Sequence, residues 1–376
     1  MRIGLVGTFP PRACGIATFT ADVAAALELA GHDVDVVALV DGPHDDGATA
    51  ARHHLDRRDP AASRSMADVL SATVDVVLVQ HEYGIFGGPD GGELSLLTER
   101  LHVPFAITLH TVSGRPTASQ RAALDPSLDR AAAILVFTDE AAELIADGRP
   151  DRSGRCQVVP HGAPTELYRG ADDSTRQRLG LPDDATVLTT FGLLSPGKGI
   201  EHAIRAVASL RNAIDGLVYV VAGRTHPEVV RRHGEDYRRH LTALVDRLGL
   251  RDVVVFRDWF HDVPALADLL AGTDVFVTPY TGAEQIVSGA LSFAVAAGLP
   301  FVSTPYRYAE DLARRGCGLT VPFDRPDELA ASLKELLTDG AVRAQLSARS
   351  HAVGASMAWP FVGRRTADVL ASIASQ

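Results

Sequence analysis

Short apolar runs alternate with helical patterns along the chain, and this alternation limits the fold more than any other feature. The runs are continuously apolar rather than apolar at every second residue, which is typical of parallel strands buried on both faces. The eleven predicted strands are 3–8, 33–39, 75–80, 104–110, 133–138, 156–160, 186–192, 217–223, 253–257, 274–280 and 300–306. Helical segments such as 18–31, 200–212 and 325–339 lie between most of them. Repeated βα units predict an α/β fold with doubly wound parallel sheets.

A polar stretch at 165–185 interrupts this series of units, and a new series begins at Thr186. A chain of 376 residues is also long for a single hydrophobic core. We therefore predict two Rossmann-like domains, 1–165 and 166–357, which face each other across a cleft, and a final helical segment at 358–376.

Charge and cysteine content argue against several kinds of partner and site. The formal net charge is −11, unlike the basic surfaces that bind nucleic acid. The three cysteines are far apart, so the sequence predicts neither a disulfide framework nor a zinc site. No segment reaches the ~18 uncharged apolar residues of a membrane span. The opening MRIGLVGTFPP is interpreted as a first strand rather than a secretory signal. We expect a cytoplasmic protein without a bound metal.

Ligands of doubly wound sheets bind beyond the carboxyl ends of the strands, so the residues after each strand are the candidates. Gly15 precedes a predicted helix, where free N–H groups can meet an anion; the alternative is a plain turn with Thr18 as the N-cap. Lys198 lies between Gly197 and Gly199 at another helix start. The helix dipole disfavours a cation there, which favours an anionic ligand over the alternative of a solvated loop lysine.

Further polar residues follow other predicted strands. His81 and Glu82 are candidates for binding sugar hydroxyl groups, and Arg224 is a candidate for binding phosphate. His110 ends a strand and is either a site residue or a structural histidine. The pair at 53–54 is interpreted as surface. No GxSxG, HExxH or Cys–His arrangement occurs, so covalent catalysis and metal-dependent hydrolysis have little support.

The stretch 278–306 has the pattern of a strand, a glycine-containing loop, a helix and a second strand. A helix start at the edge of a parallel sheet is suited to hold phosphate. We expect this helix to run from Ile286 onward, so that Phe293 shares a face with Ile286 and Ala290.

Taken together, these motifs resemble the family 4 glycosyltransferases, which are retaining enzymes of the two-domain GT-B fold. The likeness covers nearly the whole chain and lies in the opening segment and in GRCQVVPHGAPTELYR, FGLLSPGKGIEHAI, AAGLPFVSTPY, GCGLTVPFDRPDELAASLKELL and MAWPFVGRR. The resemblance implies an N-terminal domain on the acceptor side and a C-terminal domain on the donor and phosphate side. It also implies that the last helix crosses back onto the N-terminal domain.

The resemblance further implies roles for individual residues. Lys198 would hold the donor phosphate by charge, His110 would approach the donor sugar, and both are predicted catalytic residues. Gly15 would meet the phosphate through its backbone, and Arg224 is placed with the donor ligands. A loop would bind the sugar and phosphate largely through N–H groups; it comprises Glu284, Gln285, Ile286, Val287, Ser288 and Gly289. The acceptor would meet His81 and Glu82. Such enzymes react at the front face of the anomeric carbon and use no protein nucleophile.

The chain departs from the family pattern at three positions. Gln285 and Phe293 stand where the family usually has a pair of glutamates near the donor sugar and the ribose. Leu193 stands where an arginine often shares the diphosphate with the lysine. Because a hydrogen bond to a charged group contributes ~1.5–3 kcal/mol, these losses predict weak nucleotide-diphosphate binding.

Three functions remain open from the sequence. The leading one is a retaining, metal-independent hexosyltransferase without a cofactor, which moves a sugar from a nucleotide sugar or sugar phosphate to a soluble sugar acceptor. The second is a sugar phosphorylase or transglycosylase on the same fold. The third is a non-catalytic sugar- or phosphate-binding protein.

Overall fold

The computed structural model of the protein describes residues 1–42, 51–147, 149–172, 174–258 and 262–375. The chain forms two compact units. The first comprises Met1–Gly162 and Trp359–Gln376, and the second comprises Ala163–Ala358. The predicted boundary after 165 therefore lies three residues beyond the observed one, and the predicted boundary after 357 lies one residue before it.

The first unit is built on a seven-stranded parallel sheet with the order β3-β2-β1-β4-β5-β6-β7. Its strands are β1 Arg2–Gly7, β2 Asp33–Val40, β3 His53–Asp56, β4 Val76–His81, β5 Phe105–Leu109, β6 Ala133–Val136 and β7 Cys156–Val158. The strand order reverses between β1 and β4. Crevices form at such reversals, outside the carboxyl ends of the strands, and ligands of α/β sheets bind there.

The second unit is built on a six-stranded parallel sheet with the order β10-β9-β8-β11-β12-β13. Its strands are β8 Thr186–Phe191, β9 Leu217–Ala222, β10 Val254–Arg257, β11 Val275–Thr278, β12 Phe301–Ser303 and β13 Gly318–Thr320. The strand order reverses between β8 and β11. Along β9, Tyr219 packs in one hydrophobic cluster and Val220 in another, which explains the continuously apolar strand sequence.

Helices cover both sheets. Those before the second unit are α1 Gly15–Leu29, α2 Pro60–Thr73, α3 Leu94–Thr98, α4 Ala118–Arg130, α5 Asp139–Ala146 and α6 Pro150–Ser153. Those of the second unit are α7 Thr175–Arg178, α8 Ile200–Leu210, α9 Pro227–His233, α10 Asp236–Arg247, α11 Val263–Ala271, α12 Gly289–Ala296, α13 Arg307–Arg314, α14 Pro326–Thr338 and α15 Gly340–Gly354. The chain ends with α16 Trp359–Ala374.

The last helix belongs to the first unit, where it packs along α1. A β-carbon added to Gly363 would lie 2.8 Å from the Ala26 β-carbon, so the glycine permits the two helices to approach closely.

The structure confirms the doubly wound α/β architecture and corrects several details. The sequence missed β3, whose residues His53 and His54 were interpreted as a surface stretch, and the three-residue strand β13. It also placed the start of α1 at residue 18, whereas the helix begins at Gly15. None of the helices within the described ranges combines the length and apolarity needed to cross a bilayer.

Candidate functional site

Two neighbouring strands of the first unit end in predicted site residues. β4 ends at His81, which Glu82 follows, and His110 directly follows β5. The His110 backbone N–H donates to the His81 carbonyl oxygen over 3.0 Å and continues the pairing of the strands. The structure therefore brings these three residues to one edge of the sheet.

His110 is a packed and neutral side chain. Its Nε2 lies 2.9 Å from Gln80 Oε1, and its ring contacts the Phe19 ring edge-on with 4.7 Å between centroids. Burial, together with the nearby His161 and His81, lowers the pKa of His110 to about 3. His110 is therefore uncharged at neutral pH and suited to hydrogen bonding rather than to charge stabilisation.

His81 and Glu82 have different surroundings. His81 is 1% exposed, and its ring lies edge-on to the Tyr83 ring. Burial lowers the pKa of His81 to about 4. The Glu82 carboxylate accepts hydrogen bonds from the Thr111 hydroxyl, 2.6 Å away, and from the Tyr83 N–H, 2.9 Å away. Burial raises the pKa of Glu82 more than these bonds lower it.

Gly15 is the first residue of α1 and lies beside the strand reversal of the first sheet. Cys14 is the N-cap, and its Sγ accepts from the Ala17 N–H over 3.3 Å. The alternative of Thr18 as N-cap is therefore wrong. In the described part of the chain, the N–H groups of Gly15 and Ile16 have no acceptor. A β-carbon at Gly15 would meet nothing within 4 Å, so an anion can approach this backbone.

Lys198 lies at the strand reversal of the second sheet, in a loop fixed by its glycines. A short 3₁₀ helix, Pro196–Lys198, leads to Gly199, which has a φ of 58° and is the N-cap of α8. A β-carbon on Gly199 would collide with the Pro279 carbonyl oxygen. Both the positive φ and this close approach therefore require glycine. The Thr281 N–H also donates to the Gly197 carbonyl oxygen over 3.1 Å. The lysine loop is thereby held against the loop that follows β11.

The Lys198 ammonium lies over an aromatic ring. Its Nζ is 4.0 Å from the centroid of Tyr280, which stacks on Tyr306 at 5.0 Å. Among the described residues, no carboxylate forms an ion pair with Lys198. The chain has only two lysines, Lys198 and Lys334, among 36 basic residues of the Lys and Arg types. A lysine without an acidic partner at this position fits an anionic ligand.

The loop after β9 adds a second cation. The Leu194 N–H donates to the Arg224 carbonyl oxygen over 2.8 Å, and the His226 N–H donates to Leu194 over 2.9 Å. Arg224 is exposed and has no acidic partner in the described ranges. Burial and the charge of Lys198 both lower the pKa of His226. The carboxyl edge of the second sheet therefore carries two cations, Lys198 and Arg224, that no acidic side chain of the described residues neutralises.

The predicted loop ends in the N-terminus of α12, which begins at Gly289 and not at Ile286. Ser288 is the N-cap, and its hydroxyl accepts from the Leu291 N–H over 3.3 Å. Within the described residues, the backbone N–H groups from 286 to 290 have no acceptor. The hydroxyl of Tyr306 also interacts with Ser288, so this helix start and Lys198 lie against the same tyrosine pair. Free N–H groups and an ammonium without an acidic partner are both suited to an anion, so the two together are a candidate anion-binding arrangement.

Side chains of this loop are mostly engaged within the protein. Glu284 pairs with Arg307 at 3.1 Å, and Gln285 Nε2 donates to the Val287 carbonyl oxygen over 2.9 Å. Ile286 is 3% exposed. The backbone is therefore what the loop offers to a ligand.

Phe293 occupies the fifth position of α12. Its ring is half-buried and stacks on Phe191, with 6.2 Å between centroids and 22° between planes. Because Ile286 lies outside the helix, the expectation that it shares a helical face with Phe293 is wrong. The whole sequence of α12, GALSFAVA, lacks a charged residue. Leu193 is half-buried in the lysine loop.

Sequence reasoning missed Gln80, Tyr280 and His161. Tyr280 lies just beyond β11, where the rule about strand ends would have found it. His161 packs on Phe19 with 4.9 Å between ring centroids, and it directly follows the predicted strand 156–160. Gln80 lies inside β4, and nothing in the sequence pairs it with His110. Within the described residues, no cluster of three or more His, Cys, Asp or Glu side chains has the arrangement of a metal site.

Two family models match the chain. Residues 13–167 match the model for "Glycosyltransferase Family 4", and residues 185–339 match the model for "Glycosyl transferases group 1". The D-inositol 3-phosphate glycosyltransferase of Nocardioides sp. is 27% identical over 299 residues, which are 73% of this chain and 63% of the relative. The lipopolysaccharide glucosyltransferase WaaG of Escherichia coli is 29% identical over 225 residues, which are 57% and 52%. The matched region thus spans about half to two thirds of the length of these relatives.

Solved structures with the same fold cover the whole chain. Anabaena Alr3699/HepE in complex with UDP has a TM-score of 0.79 at 18% identity, over 99% of this chain and 100% of that one. Sucrose-phosphate synthase from Thermosynechococcus elongatus has a TM-score of 0.79 at 18% identity, over 100% and 99%. These identities are too low to establish more than the fold.

Proposed function

The chain belongs to the family 4 glycosyltransferases and has the GT-B fold, and we propose that it is a retaining glycosyltransferase. It would move a sugar from a phosphate-linked donor to a soluble acceptor. The observation that carries this proposal is the anion-binding arrangement of the second unit. Lys198, which lacks an acidic partner in the described residues, lies over Tyr280, and Ser288 at the start of α12 interacts with Tyr306, which stacks on Tyr280.

The proposed chemistry asks the protein for positioning and charge. As the sugar–phosphate bond breaks, negative charge grows on the departing phosphate, and Lys198 and the N–H groups from 286 to 290 would stabilise it. The phosphate would take the proton of the acceptor hydroxyl on the same face of the sugar. No carboxylate attacks in this route, so the protein gains its rate from holding the two substrates in line.

The first unit would supply neutral polar contacts. The free N–H of Gly15 is suited to the donor phosphate, and the uncharged His110 is suited to a sugar hydroxyl. Glu82, with the hydroxyl of Thr111 already bound, remains able to accept a further bond from an acceptor hydroxyl. Arg224 would add charge on the donor side.

Names of similar proteins indicate which substrates to try first. HepE was solved with UDP and with UDP-glucose, and several relatives are named for D-inositol 3-phosphate. We propose a nucleotide sugar as the first donor to test and a phosphorylated polyol as the first acceptor. The net charge of −11 and the dispersed cysteines support a cytoplasmic location.

A phosphorylase or transglycosylase remains the second candidate because α12 lacks a carboxylate. A donor held mainly through phosphate, such as a sugar 1-phosphate, would not need one. The resemblance places Gln285 and Phe293 where the family usually has acidic side chains; Gln285 bonds to the Val287 carbonyl oxygen, and Phe293 stacks on Phe191.

The test is to incubate the protein with UDP-, GDP- and ADP-sugars, sugar 1-phosphates and simple glycosides, each with candidate acceptors. We expect release of nucleotide and a product with the anomeric configuration of the donor. Release of inorganic phosphate alone would favour the phosphorylase, and binding without turnover of any donor would favour the non-catalytic protein.

Because Lys198, Arg224 and backbone N–H groups would supply the counter-charge, we expect EDTA to leave the rate unchanged. Loss of activity in EDTA that Mg²⁺ or Mn²⁺ restores would refute metal independence.

A further inference from the structure

Gln80 and His110 form a side-chain pair just beneath the carboxyl edge of the first sheet. Gln80 is the second-last residue of β4 and is fully buried, and its Oε1 lies 2.9 Å from His110 Nε2. The His110 backbone is also bonded to the carbonyl oxygen of His81. Both the backbone and the ring of His110 are therefore anchored on β4.

The orientation of the Gln80 amide, with Oε1 toward the ring, indicates which ring nitrogen carries the hydrogen. A carbonyl oxygen only accepts hydrogen bonds, so the ring nitrogen facing Gln80 Oε1 has to be the donor. A neutral imidazole has a single N–H, which leaves Nδ1 of His110 as an acceptor. Burial, with smaller effects of His161 and His81, keeps the pKa of His110 near 3, so the ring is neutral in the pH range where enzymes work.

The other side of the ring is available to a ligand. His110 Nδ1 has no partner in the described residues and is not among the buried unpaired atoms, so it reaches the surface of the unit. Phe19 and Phe137 pack on the ring at centroid distances of 4.7 and 5.3 Å. These contacts hold the ring plane, and the Gln80 bond fixes its hydrogen.

We propose that Gln80 is a positioning residue that fixes His110 in the Nε2–H tautomer, so that His110 Nδ1 accepts a hydrogen bond from a hydroxyl group of the donor sugar. The identity of the ligand rests on the proposed function. The tautomer is a property of the free protein and can be measured without any substrate.

A small cavity lies beside the pair, and Gln80 and Thr108 line it among apolar side chains. Gln80 Nε2 is buried without a partner in the described part of the chain.

The test is NMR of the full-length protein with ¹⁵N-labelled histidine, in which the spectrum of His110→Ala identifies the His110 signals. We expect an Nε2–H tautomer in the wild type and a mixture of tautomers in Gln80→Leu. Gln80→Glu keeps the acceptor and adds a charge, so it should keep the tautomer and raise the pKa of His110. Thr108→Val changes the same cavity without touching His110 and should leave its signals unchanged.

An Nδ1–H tautomer in the wild type would overturn the proposal. So would a Gln80→Glu protein in which the pKa of His110 does not move, a readout that remains if Gln80→Leu fails to fold. With an active donor in hand, Gln80→Leu should lower kcat/KM about three- to tenfold, the scale of one neutral hydrogen bond. Unaltered kinetics beside a changed tautomer would refute the sugar contact. Absence of transfer from every donor beside the expected tautomer would refute the proposed function and leave the Gln80–His110 pairing established.

Discussion

The first unit presents neutral, buried side chains at the edge of its sheet, whereas the second unit presents positive charge. His81, His110 and His161 all have pKa values lowered by burial, to about 4, 3 and 4. Lys198 and Arg224 have no acidic partner among the described residues. The same doubly wound framework, with its reversal of strand order, therefore supports two kinds of chemistry.

The difference follows from the surroundings of each group. A neutral histidine both donates and accepts a hydrogen bond, as a sugar hydroxyl does, and burial maintains that neutrality. The Lys198 ammonium instead lies on the face of Tyr280, 4.0 Å from its centroid, where the ring attracts the cation without neutralising it. One unit is suited to hydroxyl groups and the other to an anion.

The largest expected effect comes from removing the charge of the second unit. Lys198→Ala should lower kcat/KM about 10²- to 10³-fold, because we propose that the lysine stabilises charge on the departing phosphate. The measurement is steady-state kinetics with the active donor, together with thermal unfolding to show that the fold is intact.

The chain supplies a matched control in its other lysine. Lys334 is exposed on α14, and Lys334→Ala should leave the kinetics unchanged. A Lys198→Ala protein that keeps more than about half of the wild-type kcat/KM would have lost under ~0.5 kcal/mol of transition-state stabilisation. The assignment of Lys198 to the phosphate would then be wrong.

Acid should destabilise the first unit more than the second. The three histidines have folded-state pKa values of about 4, 3 and 4, below the ordinary value of 6.5. The unfolded chain therefore binds protons that the folded chain does not, and the free energy of unfolding falls as the pH falls from 6.5 toward 4. At pH ~5.5 the loss is on the order of 1 kcal/mol for each histidine. Glu82 acts in the opposite direction, because its pKa is raised by burial.

Hydrogen exchange of the intact chain between about pH 7 and pH 5 measures this difference by peptide. Peptides from β4, β5 and α1 should lose protection as the pH falls, after correction for the intrinsic rates, while those from β8 and β11 keep theirs. Equal loss in both units would show that the buried histidines do not distinguish them.

The sequence predicted the interior of the fold better than its edges. β4 and β11 are fully buried, and burial on both faces favours the continuous apolar runs VVLV in β4 and VFV in β11 by which the sequence identifies them. β3 contains His53, His54 and Asp56 because an edge strand meets solvent, so its pattern does not indicate a strand. The start of α1 was missed because its N-cap is Cys14, which is not a usual capping residue.

Candidate site residues could be predicted by position, and their partners could not. Lys198 follows β8, which lies at a reversal of strand order, and His110 follows β5, one strand away from a reversal. The rule that ligands bind beyond the carboxyl ends of strands is enough to find both. Gln80 is 30 residues from His110 in sequence, and Tyr280 lies in a different βα unit from Lys198. Those contacts depend on packing between elements, which a single sequence does not encode in a readable pattern.

The smallest expected effect concerns the affinity of the second unit for a nucleotide. Phe293 is half-buried and stacked on Phe191, and α12 carries no acid, so the ribose of a nucleotide finds no carboxylate on this helix. We expect UDP and GDP to bind the wild type with dissociation constants of roughly millimolar, about −4 kcal/mol.

Phe293→Glu would supply an acceptor for two hydroxyl groups and should tighten UDP binding about tenfold. Phe293→Leu removes the same ring without adding an acceptor, so it should not tighten UDP binding. This variant distinguishes the effect of the new carboxylate from the effect of losing the stack on Phe191. Isothermal titration calorimetry of the three proteins decides the matter. Low-micromolar binding of either nucleotide to the wild type would show that other residues hold the ribose, and the second unit would then recognise the nucleotide as well as the phosphate.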